Sequence, residues 1–337
     1  MPTDDPAPGR PAGRTRYEGD PGRVATGGSG TAAPGGGAAS PGRVLVMGDI
    51  ATDVVAVLPA PLAGGLALGT DTAVRIGLTP GGSAANTATW LAGTGTPVTL
   101  IGAVGADAAG AARLAELSAA GVRPAVARVA AATGAIVVLS DPQERTMLCD
   151  RGANQLLPVA HATAAVRDAG DAVHLHLSAY PLFDPGSAPA ALAALDAARQ
   201  AGLTVSVDAA SAGPLAAAGS AAHDWLRGAD LLFANLDEAR VLVGDPTADP
   251  ADAARELTGL ARSVVVKLGA AGAIRADGDR LLRAEAVPVD AVDPTGAGDA
   301  FAAGLLAAEL AGADPLAALR AGAALGARAV SQLGARP

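Results

Sequence analysis

Val289 to Leu306 read VDAVDPTGAGDAFAAGLL. A short apolar strand leads into a tight turn, Asp293-Pro294-Thr295-Gly296-Ala297-Gly298-Asp299, and the turn opens a helix on an acid. Successive backbone N–H groups from Thr295 to Gly298 can meet at one point. The helix adds its own unsatisfied N–H groups and the positive end of its dipole. That is an anion site, and phosphate is the usual anion. The small residues Gly296, Ala297 and Gly298 let the backbone approach a ligand closely. Asp299 is the odd member, because a carboxylate beside an anion site is repelled by the anion. A base that orients a substrate hydroxyl towards a phosphoryl group would explain it. Two other readings compete. Asp is a common helix cap, so the turn could be structural. A dinucleotide turn fits less well, since the spacing is Gly-x-Gly-Asp-x-Phe and the turn lies near the C-terminus.

Composition narrows the classes. The chain has 337 residues, half of them hydrophobic, enough for one large α/β domain or two smaller ones. A net charge of −9 gives no basic field for nucleic acid or an anionic membrane, so neither is expected as a partner. Cys149 is the single cysteine, which excludes disulfides within the chain and cysteine-rich metal sites, and the chain reads as cytoplasmic. No apolar run reaches the ~20 residues that span a bilayer. Lys267 is the only lysine. A Walker A loop needs Gly-Lys-Ser/Thr, which is absent, and Val264-Val265-Val266-Lys267 is followed by neither His-Arg-Asp nor Asp-Phe-Gly. Any nucleotide phosphate must therefore be handled by another route.

Further out, residues 1–42 are Pro, Gly, Ala, Thr and Asp with scattered Arg, and read as a disordered tail or an overextended start. Val44 to Met47 form a strand-like run, with Gly48-Asp49-Ile50-Ala51-Thr52-Asp53 just past its end. Residues there line the ligand crevice of an open α/β sheet, which makes Asp53 a candidate for holding a polyhydroxylated ligand; a solvated loop acid is the alternative. Residues 54–80 look like strands and turns. Then Thr79-Pro80-Gly81-Gly82-Ser83-Ala84-Ala85-Asn86 run into a helix expected from Thr87 to Ala92, a second glycine turn opening a helix. The Asn86 amide both donates and accepts, which suits a sugar hydroxyl. Residues 125–150 hold two strand-like pieces, and Glu144, Arg145, Arg151 and Asn154 follow closely. Two arginines so near each other could bind a phosphate or carboxylate, or form a solvated loop.

Beyond residue 170 strands and helices alternate. Strands are expected at 173–177, 203–207, 231–233 and 263–268, helices at 188–201, 236–243, 251–260 and 315–330. This predicts a mostly parallel sheet with helices on both faces, the glycine and acid turns falling on one rim. His174 and His176 share one strand face, where a structural role is the expectation.

With both glycine turns placed, residues 43–336 resemble the ribokinase/PfkB carbohydrate-kinase family. Gly81 to Asn86 resemble its N-terminal Gly-Gly signature, and Asp293 to Gly304 its C-terminal one. Gly48 to Asp53, Gly105-x-Asp107, Gly152-Ala153-Asn154, Asn235-x-x-Glu238 and Leu268-Gly269 agree as well. The resemblance implies a ribokinase-like α/β fold with a small β-lid from about 54–80 and 125–150, and ATP-dependent phosphorylation of a hydroxymethyl group on a sugar or sugar acid. Asp299 would be the base, and the backbone of Gly296, Ala297, Gly298 and Asp299 the anion hole, a route that needs no P-loop lysine. Asp53, Gly81, Gly82, Asn86, Glu144 and Asn154 match substrate-side positions. Asn235, Lys267, Gly269, Gly272, Gly298 and Gly322 match the nucleotide side. Glu238 with Asn235 would hold Mg²⁺ through its waters, and Asp293 with Thr295 would lie near a monovalent cation such as K⁺. Lid strands pair between subunits in such proteins, which implies a homodimer.

The sequence also departs from ribokinases proper. Ala51 stands where they have Asn and Ser83 where they have Lys, and both weaken ribose as the substrate. The chain stops at Pro337, before the residues that complete the cation loop in the family. A nucleoside kinase is the alternative within the family; with 2 % aromatics, Tyr180 and Phe183 are the few partners for a base. A non-catalytic sugar-binding regulator on the same fold is the rival from another class.

Overall fold

The computed structural model describes residues 42–58, 69–140 and 145–337. The tail expected over residues 1–42 lies outside them apart from Gly42, and so do Glu144 and the Arg145 side chain. The chain begins with β1 (Arg43–Met47), β2 (Ala51–Val57), β3 (Arg75–Gly81), α1 (Ser83–Gly93), β4 (Val98–Gly105) and α2 (Ala108–Ala119). It continues through β5 (Val122–Val129), β6 (Gly134–Ser140), β7 (Arg145–Asp150), α3 (Val159–Arg167), β8 (Ala172–Ser178) and α4 (Ala188–Gln200). Then come β9 (Thr204–Asp208), α5 (Ala212–Ala218), α6 (Ser220–Leu226), β10 (Ala229–Asn235), α7 (Leu236–Val243) and α8 (Pro250–Leu257). The last elements are β11 (Ala261–Lys267), β12 (Ala273–Asp277), β13 (Arg280–Ala284), α9 (Ala297–Leu310) and α10 (Pro315–Val330).

Nine strands form one sheet in the order β13-β12-β11-β10-β9-β8-β1-β4-β5. From β11 to β5 every pairing is parallel, and the β12–β13 hairpin adds two antiparallel strands at one edge. Alternation along each strand feeds two cores. Leu45 and Met47 of β1 and Leu232 and Ala234 of β10 face the side covered by α3, α4, α7 and α8. Val44, Val46, Leu231 and Phe233 face α1, α9 and α10. Burying a side chain such as Phe233 completely contributes about 2–3 kcal/mol, so strands like these anchor both layers.

The abundant glycine has a packing use on the second face. A Cβ at Gly304 of α9 would sit 2.7 Å from Ala321 O, and one at Gly322 of α10 would sit 2.9 Å from Phe301 O. The two helices cross that closely because neither residue has a side chain. Gly322, expected at the nucleotide, is therefore a helix-crossing residue.

A separate four-stranded sheet, β3-β2-β6-β7, projects from the strand ends. It corrects two expectations. Val122–Val129 belongs to the large sheet as its edge strand β5, paired with β4, and not to the lid. Pro124 fits there, because an edge strand tolerates a missing N–H. Asp53 lies on lid strand β2 rather than in a loop. The base of this sheet is tied down by Asp107, which caps α2 through Gly110 N–H at 2.7 Å and accepts from Thr133 N–H at 2.8 Å.

Candidate active site

The strand ends, the underside of the small sheet and the 293–299 turn enclose a cleft of about 1080 Å³. One side of β6 and β7 roofs it, through Ile136, Val138, Met147 and Cys149. Of the residues expected at a site, the cleft gathers Asp53, Gly82, Asn86 and Asn154 at one end. At the other it gathers Asn235, Glu238, Lys267, Gly269 and Gly272, with Thr295 to Asp299 between. Gly81, Asp293 and Gly322 do not line it.

Asp299 sits in the first turn of α9, where an acid suits the helix dipole. Gly296 at φ 75° turns the chain into the helix, and Ala300 N–H reaches Gly296 O at 2.9 Å. Ala297 N–H bonds to Pro294 O at 3.2 Å and closes the turn. Across the cleft floor, Ser83 Oγ donates to Asp299 Oδ1 at 2.7 Å and Asn86 Nδ2 donates to Oδ2 at 3.0 Å. Ser178 Oγ in turn donates to Ser83 Oγ at 3.1 Å. Burial pushes the Asp299 carboxyl up to about 6, against the two hydrogen bonds that pull it down. A carboxylate has about four lone-pair sites, so two donors leave room for a substrate hydroxyl.

The first glycine turn is placed by α1, which starts at Ser83, four residues earlier than the sequence suggests. Gly82 adopts φ 94°, and a Cβ there would collide with Asp49 O. Gly81 leaves space for the Asp53 carboxylate, which a Cβ would strike. Asp53 is buried with Oδ1 unpartnered, and burial raises its carboxyl to about 6 despite Arg336 and Arg113 nearby. Asp53 also lines the cleft, which places its carboxylate at the acceptor end. The amides of Asn86 and Asn154 are already engaged. Asn154 accepts from Ile50 N–H and donates to Ile50 O, both at 2.9 Å, so it braces the backbone beside Asp49.

On the nucleotide side, Lys267 ends β11 and its Nζ donates to Asp208 Oδ2 at 2.6 Å. Nζ lies 3.2 Å from where a Cβ at Gly298 would stand, so the one lysine puts its charge against the anion turn. Burial lowers its pKa, and Asp208 with Glu238 more than offsets that, leaving the ammonium firmly charged. Glu238 and Asn235 form a reciprocal cap on α7: Asn235 N–H donates to Oε2 at 2.8 Å and Glu238 N–H to Asn235 Oδ1 at 2.8 Å. Burial holds the Glu238 carboxyl well above its usual range. Asp208, Asn235 and Glu238 offer hard oxygens that fit Mg²⁺, an ion that keeps waters and phosphate ligands. No cluster of three or more His, Cys, Asp or Glu side chains that could hold a metal ion occurs among the described residues. Asp293 accepts Thr295 N–H at 2.8 Å and Gly334 N–H at 3.1 Å, so it also ties the turn to the chain beyond α10.

Two residues that line the cleft, Asp208 and Asp49, are not singled out by the sequence reading. Asp208 ends β9, as acids at strand ends often mark such rims, and that signal was available. Asp49 pairs with Arg151 at 2.6 Å, and the Arg151 guanidinium lies over the Tyr180 ring at 5.2 Å. Tyr180 lines the cleft, whereas Phe183 packs behind it against Trp225. The two strand histidines are structural as expected: His174 and His176 both bond Ser206 Oγ, and burial pushes them down to about 3 and about 4.

The family model described as pfkB family carbohydrate kinase matches residues 42–337. This chain belongs to that family. The kinase is 35 % identical over 264 residues, 76 % of its length and 82 % of the relative's, to an ATP-dependent ribose-1-phosphate kinase of Halopiger xanaduensis. Over 108 residues, 31 % of its length and 32 % of the relative's, it is 42 % identical to a 2-dehydro-3-deoxygluconokinase of Thermoproteus tenax. The fold also matches solved structures, among them adenosine kinase from Sinorhizobium meliloti. That match has a TM-score of 0.78 at 23 % identity, covering 88 % of this chain and 96 % of the other. The chain is thus a carbohydrate kinase with a ribokinase-like α/β fold. No helix among the described residues is long and apolar enough to cross a membrane.

Proposed function

We propose that the kinase transfers the γ-phosphoryl group of ATP to a hydroxyl of a sugar, sugar acid or sugar phosphate, with Asp299 as the base. The observation that carries this is the place of Asp299: in the first turn of α9, beside Lys267, with its carboxyl raised to about 6. A base with that pKa is ionised at neutral pH yet basic enough to take a proton as it is released. The acceptor oxygen forms the new bond to γ-phosphorus, the bridging oxygen leaves with ADP, and the hydroxyl proton passes to Asp299. The N–H groups of 296–299 and the Lys267 ammonium face the charge on the transferring group. Mg²⁺, when bound, neutralises phosphate charge, and Asp208, Asn235 and Glu238 are the residues that would hold it. The small sheet, closing on the acceptor, keeps water from competing.

Asp53 supports the acceptor side through its place on the cleft lining. Ribose 1-phosphate and 2-dehydro-3-deoxygluconate, taken from the names of the two relatives, both carry an anion, and Arg151 on the cleft wall is the cation placed to meet one. The acceptor panel is therefore those two, ribose and adenosine, with MgATP and with or without K⁺, read by ³¹P NMR of the product. Phosphorylation of adenosine alone would move the reading to a nucleoside kinase, and binding without any turnover to a regulator. Ile76, Leu78 and Leu148 of the small sheet are exposed, which supports pairing with a second copy; sedimentation showing a monomer at all concentrations rejects that pairing.

A further inference from the structure

Beyond α10 the chain turns back under both glycine turns. Trp90 Nε1 of α1 donates to Ala335 O at 2.9 Å, and Gly334 N–H reaches Asp293 at 3.1 Å. Ala335 fills the space beside Gly296, where a Cβ would lie 2.5 Å from its carbonyl. Gln332 Nε2 donates to Arg336 O at 2.7 Å. These contacts deliver the Arg336 side chain to the back of α1. Its Nε donates to Asn86 Oδ1 at 2.9 Å, and its Nη2 to Gly81 O at 2.7 Å. The other end of the same amide, Asn86 Nδ2, donates to Asp299 Oδ2.

A guanidinium only donates and a carboxylate only accepts. An amide held between them has one orientation that satisfies both. Without the guanidinium, the Asn86 oxygen loses its donor and the amide is held at the Asp299 end alone, so its bond to the carboxylate is less firmly positioned. We infer that Arg336 is a positioning residue for phosphoryl transfer: its fork locks the Asn86 amide with the NH₂ towards Asp299 and pins the Gly81 carbonyl, fixing the separation of the two glycine turns. This rests on Asp299 being the base.

The surrounding charges are mixed. Arg336 is faced by Glu116 and Arg113 from α2, Asp53 from β2 and Asp299 from α9. Asp299 is faced by Asp208 from β9 and Lys267 from β11, and Tyr180 lies within reach of its field. Burial lowers Arg336 to about 10, so it stays charged at neutral pH. Lysine at 336 would keep the charge and lose the fork, which separates positioning from simple attraction.

The test is a carboxyl titration by ¹³C NMR of the full chain labelled at aspartate, the Asp299 signal being the one lost in Asp299→Asn. The midpoint is expected to rise by about one pH unit in Arg336→Met, the size of one lost hydrogen bond to a carboxylate. Arg336→Lys is expected to rise by about half as much. A midpoint unchanged in Arg336→Met, or in Arg336→Lys should the first fail to fold, overturns the inference. A midpoint fully restored by lysine also overturns it, because charge alone would then suffice. Undiminished phosphoryl transfer by Asp299→Asn would remove the base reading, while the titration would still decide whether Arg336 orients Asp299.

Discussion

The kinase opens two helices on glycine turns of similar sequence, and the two turns do different things. Gly81–Gly82 is buried, crossed by Asp49, Asp53 and Arg336, and its helix presents Ser83 and Asn86 to Asp299. Gly296–Gly298 is half-exposed on the cleft, with Lys267 as the neighbour of Gly298. In the first turn glycine makes room for protein atoms. In the second, at position 298, it leaves open cleft beside the end of Lys267, where the proposed phosphate would approach. The same residue type thus marks a packing constraint in one place and open cleft surface in the other, and only the atoms around it tell which.

Alanine separates the two turns. Gly82→Ala forces φ 94° on a residue with a side chain and drives the Cβ into Asp49 O. The expected cost is about 3–5 kcal/mol, a fall of about 10 °C in thermal melting. Gly298→Ala has no positive φ to relieve and meets only the flexible end of Lys267. Its melting temperature should stay within about 2 °C, helped by helix propensity, while turnover falls about 100-fold as the methyl occupies the phosphate approach. Equal loss of stability in both variants would break the comparison.

The Asp53 carboxylate beside Gly81 gives a smaller effect with a defined sign. Its ordinary value is 3.8 and in the fold it is about 6, so the folded state holds the proton more tightly. The stability this adds is present below about 4 and lost as pH rises through 6. Asp53→Asn should therefore melt higher than the parent by about 2–4 °C at pH 7.5, a gain of about 1 kcal/mol, and no higher at pH 4. The smallest effect is at Cys149, the single cysteine, exposed on the cleft side of the small sheet. Burial raises its thiol pKa, so maleimide labelling at pH 7 should be slow. A bound acceptor should slow it further, by about threefold to tenfold, as the sheet closes over the cleft.

Much of the fold was legible because apolar strands alternate with helices of clear period, and both glycine turns stand out as strings. Boundaries failed where the pattern is weak. Ser83-Ala84-Ala85-Asn86 has no apolar face, so the start of α1 was read four residues late. Pro124 and the arginines around it disguise an edge strand as lid. Gly322 looked like a ligand position because a glycine within a helix has two explanations, and the packing of Phe301 against it was invisible. Asp299 stands out from its own turn, and Lys267 and Glu238 are nominated through the family resemblance; the cleft brings all three together. Arg336 was not nominated, since the atoms that define it come from Gly81 and Asn86, about 250 positions away.

The central claim is that Asp299 takes the acceptor proton. The most direct measurement is turnover against pH for the parent and Asp299→Asn, with MgATP and the acceptor panel. The account predicts that the parent loses activity tenfold per pH unit below about 6. It predicts that Asp299→Asn is at least about 1000-fold slower and lacks that acid limb. Turnover by Asp299→Asn at the parent rate, with the same acid limb, would contradict it.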